Sequence, residues 1–308
     1  MKKGNRCNME QYYEVSVIVC SYNPSIDDML FTLESLVSQK NIRLEIIVAD
    51  DGSEDNLYEK VVQYFKDNNF QHWMMVCNQE NHGTVFNLYS GIRKASGKWI
   101  KTISPGDALN GKEILREWID YNEKENVKWS FSDAIYYVGK PNENKHIIAY
   151  AHPNDISPYI RKNDYLCRWN YLALDDNALG LTLLAEKSIM IEYIDKIVGK
   201  IIYAEDHIYR MMMFDGIVGS YFPRNAVLYQ FGTGISTTGS VVWGRRLEKD
   251  WKIAEQLMIY DKELDDFQLS IVRVWKLRDS GKRLLRVLIK GKIKSYLRRL
   301  IKPRKTIV

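Results

Sequence analysis

Acidic side chains gather at three places in this 308-residue chain where chemistry could be done. Asp50 and Asp51 close the apolar run "LEIIVADD", Asp107 ends "KWIKTISPGD", and Glu205 and Asp206 stand together in "YAEDHIYR". A carboxylate at the end of an apolar run suits a metal ion or phosphate chemistry, but metal sites usually gather several acids and Asp107 has no acidic neighbour. Polar residues accompany these acids. Ser21, Tyr22 and Asn23 follow "EVSVIVC", Asn81 and Gly83 follow "HWMMVCNQE", and Ser104 and Gly106 precede Asp107. Gly83 would let the backbone approach a ligand closely.

Bringing these loops together requires a scaffold, and the first half of the chain supplies one. Apolar, β-branched runs at Glu14–Asn23 and Leu44–Ser53, with "HWMMVCN" and "KWIKTIS", predict four strands. Between them, Ile26, Met29, Leu30, Leu33, Leu36 and Val37 recur at helical spacing behind a Ser25 cap. A second helix, carrying Leu57, Val61, Val62 and Phe65, is predicted behind a Ser53 cap, and "TVFNLYSGIRKAS" reads as a third. Strands apolar on both faces and separated by helices predict a largely parallel sheet with helices on each side, an α/β fold. Ligands of such sheets collect beyond the carboxyl ends of the strands, where all the polar groups named so far fall. Capping explains Ser25 and Ser53; it does not explain the Asp50–Asp51 pair.

Composition narrows the classes. A 45% hydrophobic fraction is ordinary for a folded protein, and no low-complexity tract or solenoid repeat interrupts it. Cys7, Cys20, Cys77 and Cys167 show no zinc or disulfide spacing, which fits a reducing cytoplasm. "MKKGNRCNMEQYYE" lacks an apolar core, so neither a signal peptide nor an anchor is expected. The chain is +5 overall, but eleven Lys and Arg and no acid lie between Lys282 and Lys305. The remainder is therefore net acidic by six charges, and nucleic acid is not an expected partner.

"VSVIVCSYNP", "EIIVADDGSEDN", "NHGTVFNLYSGIRKASGKWIKTISPGD" and, downstream, "YAEDHIYR" follow one another in an order that resembles inverting family 2 glycosyltransferases of the GT-A fold. The tract, Val15 to about Arg210, looks most like bacterial enzymes that build cell-surface polysaccharides. The resemblance implies a UDP-sugar donor, with Asp51 accepting a hydrogen bond from the uracil imide and Ser21 and Tyr22 lining the base pocket. Asn23, Asp50, Asn81, Gly83, Asn87, Ser104 and Gly106 complete the donor-binding set. Asp50 could equally do no more than cap its loop. Asp107 aligns with the last acid of the family's D-x-D motif, which implies Mn²⁺ or Mg²⁺ held with the help of the donor's phosphates. "SPGD" departs from the usual run of two or three acids, so the metal site should be weak without donor.

The same resemblance makes Asp206 the base that deprotonates the acceptor hydroxyl, with Glu205 orienting it or touching acceptor. A charged first helical turn favoured by the helix dipole is the structural alternative. Trp169 and Asn170, in "CRWNYLALDDNALG", fall where this family builds its acceptor pocket, and His207 adjoins the base; these three are the acceptor-binding candidates. Trp169 could equally be core. Lys101 could reach a diphosphate, though an edge-facing lysine fits its strand better. The Q-x-x-R-W motif of processive synthases does not follow the base, which points to one sugar per event.

The expected organisation is a GT-A domain at 1–240, its nucleotide-sugar half at about 14–110 and its acceptor half at about 111–240. A helical extension, 241–308, follows. In its tail Leu284, Leu285, Leu288, Ile289, Ile293, Tyr296, Leu297, Leu300 and Ile301 form one stripe among basic residues. This stripe is expected to lie on an anionic membrane surface at the inner face of the cell membrane; packing on its own domain or on a second copy in a homo-oligomer is the alternative. A lipid-linked saccharide acceptor would give such a tail a purpose. A transferase acting on a surface protein, and a non-catalytic subunit of the same fold, are the rival functions.

Overall fold

The computed structural model describes residues 13–140, 147–235, 239–279 and 304–305. Its first half follows the predicted alternation: β1 (Val15–Ser21), α1 (Ile26–Val37), β2 (Leu44–Asp50), α2 (Tyr58–Asp67), β3 (Trp73–Cys77), α3 (Thr84–Lys94) and β4 (Trp99–Ile103). Then come β5 (Ala108–Leu109), α4 (Ile114–Glu125), β6 (Trp129–Tyr137), β7 (Ile147–Ala151), α5 (Ser157–Ile160) and α6 (Asp164–Ala173). β8 (Leu183–Glu186), α7 (Lys187–Ile197), α8 (His207–Phe214), β9 (Ser220–Gln230), α9 (Val241–Ile259), α10 (Asp266–Asp279) and β10 (Arg304–Lys305) complete the described chain.

One mixed sheet runs β10-β7-β6-β8-β4-β1-β2-β3, with β9 beside β6 and β5. β1 lies parallel between β2 and β4, and β2 parallel to β3, so four strand exits share one edge. β8 is antiparallel to both β4 and β6 and joins the parallel half to the rest. Alternation along β1 feeds two cores. Val15, Val17 and Val19 pack with α1, α2 and α4, while Ile18 faces α3 and the later helices. Both faces are thus covered, and even Ser16 is fully buried. α3 approaches β1 so closely that a Cβ on Gly91 would sit 2.6 Å from Ile18 Cγ2.

Two local expectations need correcting. Ser53 does not cap α2; the cap position is Leu57, in the left-handed region at φ 56° and with no side-chain hydrogen bond. The Ser53 hydroxyl instead donates to Asp50 Oδ1 (2.6 Å) and accepts from the Asn23 N–H (2.7 Å), because the buried carboxylate next to it captures it first. β3 is not buried on both faces: it is the last strand of its side, and Met74 is 38% exposed. Ser25 does cap α1, accepting from the Asp28 N–H. The stripe expected at 282–305 lies outside the described residues except for β10. Among the described residues no helix is long and apolar enough to cross a membrane.

Candidate active site

A cavity of about 1000 Å³ opens beyond the carboxyl ends of β1, β2 and β4. Ser21, Tyr22 and Asn23 enter it from β1, Asp51 from β2, Asn81 and Gly83 from the loop before α3, and Ser104 and Asp107 from β4. Four loops predicted from separate motifs therefore meet.

Asp51, almost fully buried, organises the loop opposite it. Its Oδ1 accepts from Asn78 Nδ2 (2.9 Å) and the His82 N–H (3.1 Å), and Oδ2 from the Gly83 N–H (2.7 Å). Gly83 has φ 93°, and a Cβ there would lie 2.4 Å from Ile202 Cγ2, so both its conformation and its packing demand glycine. Tyr22 is half exposed, with a ring face free to stack. Asn87 lines the cavity, but its Nδ2 is spent on the carbonyls of Ala49 (2.9 Å) and Ser21 (3.3 Å), tying β1 to β2 where they end.

Asp107 is 6% exposed, and burial pushes its carboxyl up to about 7 against the opposing pull of the Gln230 N–H and Lys101. Oδ1 accepts from the Gln230 N–H at 2.9 Å, and the residue lines the cavity. Asp28, from α1, lines the same wall, its carboxylate already bonded to Ser25 Oγ and Gln230 Nε2. A buried carboxylate at the wall of a cavity fits a cation. Among the described residues no cluster of three His, Cys, Asp or Glu could hold one without help, so phosphates would have to complete the shell.

Glu205 and Asp206 form the turn that leads into α8 and line the far side of the cavity. Asp206 occupies the cap position without using its side chain as a cap, so the carboxylate stays available. Burial raises both carboxyls above the ordinary range, the Asp206 charge raises Glu205 further, and Arg210 pulls Asp206 back. Thr84 Oγ1 lies 2.8 Å from Glu205 Oε2 and 2.6 Å from the Tyr203 carbonyl oxygen, linking α3 to this turn. Arg210 is itself buried, donating to the carbonyls of Tyr171 and Leu172 and to Asp175. His207 lines the cavity edge-on to Trp251, and burial drives its imidazole down to about 3, so it is neutral.

Several predicted residues lie elsewhere. Asp50 points away from the cavity and holds Ser21 and Ser53 by hydrogen bonds, the loop-capping alternative. Gly106 seats the turn: at φ 93° it donates to the Asp28 carbonyl and Thr32 Oγ1, and a Cβ would strike Gln230 Oε1. Trp169 stacks on Tyr165 with Phe267 edge-on to it, and Asn170 is fully buried within α6; neither lines the cavity in which the acceptor was expected. Lys101 is neither an edge residue nor a phosphate ligand. It is fully buried, its ammonium donates to the carbonyls of Thr102 and Leu181, and burial lowers its pKa to about 7.

Trp243, Arg246, Leu247 and Trp251 of α9 wall the cavity and were not anticipated, since α9 was assigned to an extension. Arg246 lies over the rings of Trp243 (4.8 Å) and Tyr203 (5.6 Å). Their one sequence signal is an aromatic and an arginine facing the same way at i and i+3.

Comparison with known proteins places this geometry. WfaP of Escherichia coli, a UDP-Glc:α-D-GlcNAc-diphosphoundecaprenol β-1,3-glucosyltransferase, is 29% identical over 128 residues, 41% of this chain and 47% of its own length. The first curated relatives are all matched over less than half of their length. Among solved structures, Staphylococcus aureus TarS 1–349 in complex with UDP-GlcNAc superposes with a TM-score of 0.57 at 15% identity, covering 85% of this chain and 70% of that one. Mannosyltransferase PcManGT from Pyrobaculum calidifontis, in complex with GDP-Man and Mn²⁺, gives 0.58 at 15% identity over 92% and 77%. These likenesses establish the GT-A fold. The glycosyl transferase family 2 model matches residues 16–180, more than half of the chain, from the strand before Tyr22 to the turn that backs Asp206. The chain belongs to glycosyl transferase family 2.

Proposed function

We propose that the protein transfers one sugar, with inversion, from a UDP-sugar to a hydroxyl of a saccharide acceptor in the building of a cell-surface polysaccharide. The observation that carries this is the meeting of Asp51, Asp107 and Asp206, from three distant motifs, around one cavity. Asp51, Ser21 and Tyr22 receive the base, and Asn81 and Gly83 line the donor side of the same cavity. Asp107 faces the diphosphate and would hold a divalent cation there together with its oxygens. Bound in that position, the cation supplies Lewis-acid neutralisation of the leaving phosphate.

Asp206 does the proton work. The acceptor hydroxyl oxygen attacks the anomeric carbon and the bond from that carbon to the phosphate oxygen breaks. The hydroxyl proton passes to the Asp206 carboxylate, and UDP departs from the opposite face. Arg210, held by backbone carbonyls, favours the ionised form of Asp206 against its burial. The aromatic wall of Tyr203, Trp243 and Trp251 offers flat apolar faces for sugar rings. WfaP's donor and its diphosphoundecaprenol-linked acceptor support a UDP-sugar and a lipid-linked acceptor here as well.

The test is UDP release by the purified protein from UDP-glucose, UDP-galactose and their N-acetyl forms, with Mn²⁺ or with EDTA. Release or binding of at least one donor is expected, and the absence of both for all four overturns the proposal. Asp206→Asn should lower acceptor-dependent transfer by about 10²- to 10⁴-fold with donor binding kept.

A further inference from the structure

α9 falls outside the matched region 16–180, yet it reaches the catalytic turn. Asp250, on its inner face, is 3% exposed and aims its carboxylate at the backbone that runs into Glu205. Oδ2 accepts from the N–H groups of Tyr203 (2.7 Å) and Ala204 (3.2 Å), and Oδ1 from that of Ile202 (3.4 Å). These three residues belong to no helix or strand, so one side chain does for them what a ladder does elsewhere. One turn further along α9, Glu255 takes the indole N–H of Trp251 (2.8 Å) and pairs with Arg278. Trp251 lies under the Arg210 guanidinium at 4.4 Å. The helix therefore grips the chain on both sides of Asp206.

We propose that Asp250 is a positioning residue of the transfer reaction: by gathering the N–H groups of Ile202, Tyr203 and Ala204 it fixes the turn that aims Glu205 and Asp206 into the cavity. This rests on Asp206 being the base. A carboxylate is the fitting group because it presents two acceptors and no donor, whereas an amide of the same shape must turn an N–H toward other N–H groups. The negative charge of Asp250 also adds to burial and Asp206 in raising Glu205. The other groups facing Glu205 are Thr84 from α3, Cys20 from β1 and Tyr209 from α8.

The experiment compares full-length wild type, Asp250→Asn and Asp206→Asn for kcat, donor KM, UDP binding and the pH dependence of kcat. A small displacement of a catalytic group costs about 10²-fold in rate. For Asp250→Asn a loss in kcat of about 10- to 100-fold is expected, with donor KM and UDP binding within about twofold. The acid limb should shift, because Glu205, beside the base Asp206, loses a negative neighbour. Wild-type kcat and pH profile in Asp250→Asn, beside an inactive Asp206→Asn, overturn the positioning role alone. Full activity in Asp206→Asn overturns the base assignment beneath it. Equal loss of UDP binding and kcat marks a merely structural residue and also overturns the proposal. If Asp250→Asn does not fold, Asp250→Glu decides: a lowered kcat with the acid limb in place supports positioning, and an unchanged kcat refutes it.

Discussion

Asp107 shows how much one carboxylate can be asked to do. Because burial raises its pKa from about 3.8 to about 7, the ionised form costs the fold stability: the contribution is lost as pH rises through that window, since the unfolded chain gives up its proton first. Asp107→Asn should therefore unfold at the same or a higher temperature than wild type at pH 7.5. The same variant should bind UDP-sugar in Mn²⁺ at least tenfold more weakly, as read by titration calorimetry. A large drop in melting temperature without loss of donor affinity would make Asp107 a structural strand end. Asp51, Asp107 and Asp206 were legible because each ends a strand or opens a helix at a known offset from an apolar run. Lys101 was not legible: a lysine between Ile100 and Thr102 looks like a solvent-facing residue until β8 arrives antiparallel and covers it. Trp169 was misplaced for a related reason, as an aromatic on a helix can turn toward a cavity or toward Phe267, and only packing decides.

At the scale of elements, the Glu205–Asp206 turn leads into a fully buried helix, all eight residues of α8 from His207 to Phe214 being buried. His207 is held neutral there with a pKa of about 3, whereas the unfolded chain binds a proton near 6.5. Between those values the unfolded state carries more protons, so stability falls as pH drops from 6.5 toward 3, by about 1.4 kcal/mol per pH unit from this group. Chemical denaturation at pH 5 and pH 7 should show a smaller difference for His207→Gln than for wild type. An identical difference would mean that the imidazole is protonated in the folded state. The first four strands and three helices were readable from periodicity alone. β8 and β9, which close the sheet around Asp107, were not, because their pairing partners lie about 50 to 120 residues away and short apolar runs carry no record of direction.

For the whole molecule, charge separates into an acidic body and the basic stretch 282–305, most of which lies outside the described residues. Eleven cations with no acid among them suit the surface of anionic lipids, each contributing about 1 kcal/mol near the headgroups. Full-length protein should sediment with phosphatidylglycerol vesicles at low salt and lose that binding at high salt. A version ending at residue 280 should remain in the supernatant at both. Equal sedimentation of the two would remove the membrane from the proposal.

The hydrogen bond from the Gln230 N–H to Asp107 has a consequence for engineering. The strand that steadies the Asp107 carboxylate, β9, comes from more than a hundred residues downstream, and β8 seals the open edge of β4. A fragment cut at residue 110 would expose that edge to pairing with other chains and leave Asp107 without its nearest donor. Under the proposed function, donor specificity is thus not a cassette that can be swapped by exchanging the first hundred residues. A hybrid that accepts a new sugar has to import β8, β9 and the turn after Gln230 together with the strands that meet the nucleotide.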